Sequence, residues 1–141
     1  MPANTSPVFP QTPVVPVGQT LTTANTAKDG TGTVVTLYTA GSNGSKVDGV
    51  NIAYTGTSVA TVVRIFVNNG SATTTASNNT LIKSINVGAN TMTSEISTAA
   101  DFYTPLLNGG SLMLPAGYKI TATIAVTVAN ALAVTATGGD L

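Results

Sequence analysis

From Tyr118 to Val128 the chain alternates with period two. Tyr118, Ile120, Ala122, Ile124, Val126 and Val128 fall on one face, and Lys119, Thr121, Thr123, Ala125 and Thr127 on the other. Successive side chains of a β-strand point to opposite faces of its sheet, so this pattern predicts a strand with one face in a core. Val59–Val67 repeats the period, with Val59, Thr61, Val63, Ile65 and Val67 on one side and Ala60, Val62, Arg64 and Phe66 on the other. Both faces there are mostly apolar. That predicts a central strand, covered on one side by a second sheet and partly covered on the other by a neighbour or by an N-terminal arm.

Shorter segments rich in Val, Ile and Thr extend the pattern: Leu21–Ala24, Thr33–Thr39, Gly49–Tyr54, Leu81–Val87, Ser111–Leu114 and Leu132–Thr137. Between them stand turn sequences: Asp29-Gly30-Thr31-Gly32, Gly41-Ser42-Asn43-Gly44, Asn68-Asn69-Gly70 and Asn108-Gly109-Gly110. Short strands at this spacing predict an all-β fold, an antiparallel β-sandwich of jelly-roll-like form, with Val63, Ile65, Ile120, Ile124 and Val126 in its core. Thr91–Tyr103, with Met92, Glu95, Ile96 and Ala99 at helical spacing, is the one stretch with room for a helical turn or two. A chain of 141 residues supports one such core, assigned to residues 20–141.

Residues 1–19 differ from the rest. They hold Pro2, Pro7, Pro10, Pro13 and Pro16, five of the seven prolines in the chain. Each removes an amide from any ladder and biases its predecessor toward extended geometry. The segment is therefore expected to be an extended arm, whose Val8, Phe9, Val14, Val15 and Val17 are the candidate contacts to a partner.

Chemistry-bearing side chains are scarce. There is no His, Cys or Trp, and five Lys and Arg balance five Asp and Glu to a net charge of zero. A nucleic-acid footprint needs clustered cations, so none is expected. Asp29-Gly30-Thr31-Gly32 lacks the Lys and the following helix of a phosphate cradle and reads as a tight turn. The pairs Asp29 with Asp48 and Glu95 with Asp101 lack the spacing of calcium ligands or of an acid–base couple. No catalytic residue, metal site or cofactor is predicted. Arg64, the single Arg, is expected to point outward from an edge or to pair with a carboxylate across a subunit boundary. Ser71–Asn79 reads as a solvated polar loop. A surface with about 7% charged residues is poorly protected against self-association, which favours life in an assembly. No apolar run reaches the length of a membrane span, and the N-terminus carries Pro and Thr where a signal peptide would be basic and then apolar. No membrane partner is expected, and synthesis in the cytoplasm is.

The segments TANTAKDGTGTVVTLYTAGSNGSKVDGV at 23–50, VATVVRIFVNNG at 59–70, NNTLIKSINV at 78–87, LPAGYKITATI at 114–124 and TGGDL at 137–141 together resemble a group of small tailed-bacteriophage virion proteins of the capsid decoration or cement type. The resemblance implies a structural role on the capsid exterior, with the major capsid protein as partner and a homo-oligomer, a trimer above all, as the unit. It carries over no catalytic residue. A head-fibre or tail adhesin would show a repetitive shaft or an aromatic sugar site. A tail-tube or connector subunit is the other virion alternative, and an enzyme would need a cluster of His, Asp, Glu or Arg.

Overall fold

A computed structural model of the chain describes residues 9–92, 101–107 and 110–141. Its strands are β1 (Thr12–Val14), β2 (Thr20–Leu21), β3 (Val35–Thr39), β4 (Ser45–Tyr54), β5 (Thr61–Asn68), β6 (Asn79–Val87), β7 (Asp101–Pro105), β8 (Leu112–Leu114), β9 (Lys119–Ile124) and β10 (Leu132–Asp140). They form two antiparallel sheets. In the first, the order is β1-β10-β4-β7, with β2 also on β10 and β8 also on β4; in the second it is β3-β9-β5-β6.

Both edges of the first sheet are interrupted strands. Thr12 pairs with Asp140 and Leu21 with Leu132, so β1 and β2 follow β10 with a shift of one residue, absorbed where Pro16 and Gly18 (φ +75°) break the ladder. β7 and β8 divide the other edge along β4 in the same way. With each interrupted edge taken as one strand, first pairs with last, second with seventh, third with sixth and fourth with fifth. That is the pairing of a jelly roll.

The core lies between the sheets. Val47, Val50 and Ile52 of β4 and Leu132, Val134 and Ala136 of β10 meet Val63 and Ile65 of β5 and Ile120, Ala122 and Ile124 of β9, all essentially sealed from solvent. Four of the five expected core residues are there, and Val126 is not. The ladder of β9 ends at Ile124, the chain bends at Ala125–Val126, and Val126 is left 46% exposed. The alternation continued in the sequence past the point where the strand stopped.

Part of the outer face of the second sheet, around Phe66, is covered by the chain itself. After β2, residues 25–33 fold over it, pinned by Asn25: its side-chain amide donates to the carbonyls of Thr31 (2.6 Å) and Thr33 (2.8 Å), and its Oδ1 accepts from the Ala27 amide (2.9 Å). Gly30 sits against Phe66 and Asn79, where a Cβ would stand 3.0 Å from the Phe66 ring and 2.7 Å from Asn79 Cβ, and its φ of +80° suits glycine. Phe66 is thereby fully buried on the outward face of β5, next to Thr121. Around Phe66 the cover comes from this loop and not from the N-terminal segment, which pairs on the first sheet. Of the stretch with room for a helical turn, residues 93–100 lie outside the described residues and 101–103 belong to β7.

The jelly roll has two dissimilar ends. The lower end carries the turns β3–β4, β5–β6 and β8–β9 and the last residue of β10. The upper end carries the connections β4–β5 and β9–β10 and the residues that follow β6.

Candidate functional site

The pairing of the N-terminal segment begins at Gln11, whose amide donates to the Asp140 carbonyl (2.7 Å), and includes Gln19, whose carbonyl accepts from the Val134 amide (3.0 Å). The sheet therefore takes in part of the segment that its prolines mark as an arm. Prolines are tolerated there because β1 and β2 form an edge with one side free. Among the candidate contact residues, Val14 turns inward and packs on the core of its own domain. Phe9, Val15 and Val17 stay in solvent, at 72%, 58% and 82% exposure. Val8 lies outside the described residues.

A second apolar surface, absent from the sequence reading, occupies the upper end. Two shallow grooves of about 350 and 410 Å³ share Ala60. The first is lined by residues 60–62, Asn86–Gly88 and Ala125–Val126; the second by residues 57–60, Ala89–Thr91, Thr127 and Ala129. No charged side chain lines either. Val59 (53% exposed) and Val126 (46%) stand on their walls. The bend that expels Val126 from the core is what supplies it to this surface.

The ionisable groups are dispersed. Asp140 Oδ1 accepts from Ser45 Oγ (2.5 Å), the Gly41 amide (3.2 Å) and the Tyr38 hydroxyl (3.2 Å), joining β10, β4 and β3 at the lower end. The Ser45 hydroxyl foremost, then the Gly41 amide and Tyr38, hold the Asp140 carboxyl below its ordinary value against the opposing effect of burial, while burial raises the Tyr38 phenol. Asp48, the extra residue of the β4 bulge, accepts from Lys46 Nζ (2.7 Å) and Ser111 Oγ (2.6 Å), and both lower its pKa. Asp29 caps its own turn through the Thr31 hydroxyl (2.7 Å) and amide (3.0 Å), which lower its pKa as well. Asp29 lies in the loop over the second sheet and Asp48 on β4 of the first, each bonded to its own neighbours rather than to the other. Glu95 and the Asp101 side chain lie outside the described residues. Arg64 is half-exposed on the outward face of β5, between Thr123 and Ser84. β5 is an inner strand, so Arg64 points outward from a sheet face rather than from an edge, and among the described residues Lys46–Asp48 is the one ion pair.

Among the described residues, no group of three or more His, Cys, Asp or Glu is placed to hold a metal ion, and no helix is long and apolar enough to cross a membrane. What the arrangement offers is contact surface: an edge with protruding valines, and an uncharged groove. No protein-family model matches the chain, and neither a curated protein nor a solved structure does.

Proposed function

We propose that the protein is a structural virion protein that decorates the exterior of a phage capsid and stabilises it by bridging major capsid proteins. One observation carries this reading. Val15 and Val17 stand outward from the short link between β1 and β2, whose ends are anchored by the pairing of those strands with β10, on a stretch without a charged side chain. Such a strip adheres through apolar and backbone contacts, and small contacts repeated over the many equivalent positions of a shell hold by avidity. The jelly roll adds a fold-level analogy, since it recurs in viral capsid domains and elsewhere. The role in this reading is mechanical and requires no reacting group.

Mass spectrometry of purified virions tests the location: the chain should be present in many copies, and its absence from particles would refute the reading. Retention on capsids tests the surface. Replacing Val15 and Val17 together by Ser should leave the melting temperature nearly unchanged, because both are exposed. Capsid binding should fall alike at low and high salt, because no charge is involved. A cut removing residues 2–17 is a poor test, since it strips β1 from β10 and takes away Val14, which packs on the core.

A further inference from the structure

The tripeptide Asn-Gly-Ser occurs twice at the lower end, at 43–45 between β3 and β4 and at 69–71 after β5. Asparagine before glycine is open to attack by the backbone on the side chain, because no Cβ shields the glycine nitrogen. Both copies share this local chemistry, so a difference between them is the work of the fold.

At Asn69 both reacting groups are held. Its Nδ2 donates to Asn78 Oδ1 (3.2 Å), its Oδ1 accepts from the Ser71 amide (3.1 Å), and the Gly70 amide donates to Asn68 Oδ1 (2.9 Å). In the other copy the Gly44 amide donates to the Gly41 carbonyl (3.0 Å). The exposed Asn43 side chain takes no part in the bonds of its turn, which otherwise join Gly41 to Ser45 and Asp140 and Gly44 to Leu141. One turn bond has to open before attack at Asn43, against several at Asn69.

We propose that Asn43 is where the folded protein modifies itself, and that the product loosens the turn beside Asp140. The Gly44 nitrogen gives up its proton and attacks Asn43 Cγ. The Cγ–Nδ2 bond breaks, Nδ2 leaves with a proton as ammonia, and a succinimide closes. Water then opens the ring, at Cγ to give aspartate or at the backbone carbonyl to give isoaspartate, whose chain runs on through Cγ. Isoaspartate adds a backbone carbon to a turn without slack: Gly44 is buried, and a Cβ on it would stand 2.6 Å from the Leu114 carbonyl. Gly41, at the start of the same turn, holds Asp140 (3.2 Å). The reaction needs no partner and stands apart from the capsid-bridging reading.

The full chain, kept folded at mildly alkaline pH and then digested with trypsin, tests this. Cleavage at Lys46 and Lys83 puts the two copies on separate peptides, and Asn108, outside the described residues, on a third. The Asn43 peptide is expected to gain the mass of amide-to-acid conversion roughly tenfold faster than fragments carrying Asn69, as for one further hydrogen bond to be opened. In denaturant the two rates should converge, and the isoaspartate fraction should melt below the parent. Equal rates in the folded protein, faster conversion at Asn69, no conversion at Asn43, or a difference that survives denaturant would each overturn the site. An isoaspartate fraction that melts like the parent would overturn the loosening.

Discussion

The two ends of the jelly roll are built from the same kinds of strand and are both tied by side-chain hydrogen bonds, but the upper end also carries the uncharged grooves. At the lower end side chains staple backbone to backbone. Asn68 donates to Asn79 Oδ1 (2.8 Å) and accepts from the Gly70 amide (2.9 Å), Asn79 reaches the carbonyls of Thr73 (2.9 Å) and Thr75 (3.2 Å), and Asn78 reaches that of Ala72 (3.0 Å). Ser45, Tyr38 and the Gly41 amide converge on Asp140. At the upper end Asn130 donates to the Thr57 carbonyl (2.7 Å), the Tyr54 hydroxyl to that of Gly88 (2.6 Å) and the Thr55 hydroxyl to that of Ala131 (2.5 Å), while Val59 and Val126 stay exposed beside open, uncharged grooves. Side-chain ties at either end contribute stability to the domain, while the exposed valines on the groove walls have apolar surface to give to a partner. Substitutions should therefore separate: at the buried ties they change folding, and at the exposed groove walls of the upper end, association.

The largest effect is expected beside the lower staples, at Phe66. Truncation to Ala removes a fully buried ring and the floor on which Gly30 and Asn79 rest, and should cost about 3–5 kcal/mol in chemical denaturation. A loss below 1 kcal/mol would mean that residues 25–33 do not seal that face. Asn68→Ala comes next. Asn68 is fully buried, and its removal leaves the Gly70 amide and Asn79 Oδ1 without their partner, at about 1–3 kcal/mol.

Asp140 gives the same end a pH signature. Its carboxyl is held below 3.8 in the fold, so its contribution is fully present above that value and is lost as pH falls through the lower, folded pKa. Acid titration of the melting temperature should show a limb below about pH 4 that Ser45→Ala flattens, because Ser45 is the strongest of the three partners. The same variant should lose about 1–2 kcal/mol at neutral pH, as expected for a buried hydroxyl donating to a carboxylate. Asp29 and Asp48 are lowered too, but Ser45 touches neither, so an unchanged limb in Ser45→Ala would assign the acid loss to them.

The jelly roll was legible because it rests on period two and on turn chemistry, both local. Val63, Ile65, Ile120 and Ile124 follow directly from alternation, and each predicted strand overlaps an observed one. What local pattern could not contain was where a ladder stops. Val126 continues the alternation of Ile120 and Ile124, but its amide goes to the side-chain hydroxyl of Thr61 (3.0 Å) rather than to a backbone carbonyl of the ladder, and the next apolar residue in phase, Val128, is buried again. The Ser71–Asn79 stretch reads as a solvated polar loop because each Asn is polar on its own. The staples exist only once β5 and β6 bring Asn68 and Asn69 opposite Asn79 and Asn78. The arm contacts divide the same way. Proline placed an edge, and only the pairing with β10 turns Val14 inward and leaves Val15 and Val17 exposed in the link that follows.

The smallest folding effect is expected at Val126. An aspartate at a buried position such as Val134 would have to be desolvated and should unfold most of a marginally stable domain. At Val126 the new carboxylate stays in water at the mouth of the groove. Its cost is only the partial loss of valine packing, about 0.5 kcal/mol or less, as for surface sites elsewhere. Val126→Asp should therefore melt within a few degrees of the parent while weakening whatever occupies the groove, and sedimentation of the same sample separates the two. If Val126→Asp unfolds the domain, β9 continues to Val128 and the upper end is core. If it changes neither melting nor association, the groove is bare surface and the two ends differ in stability alone.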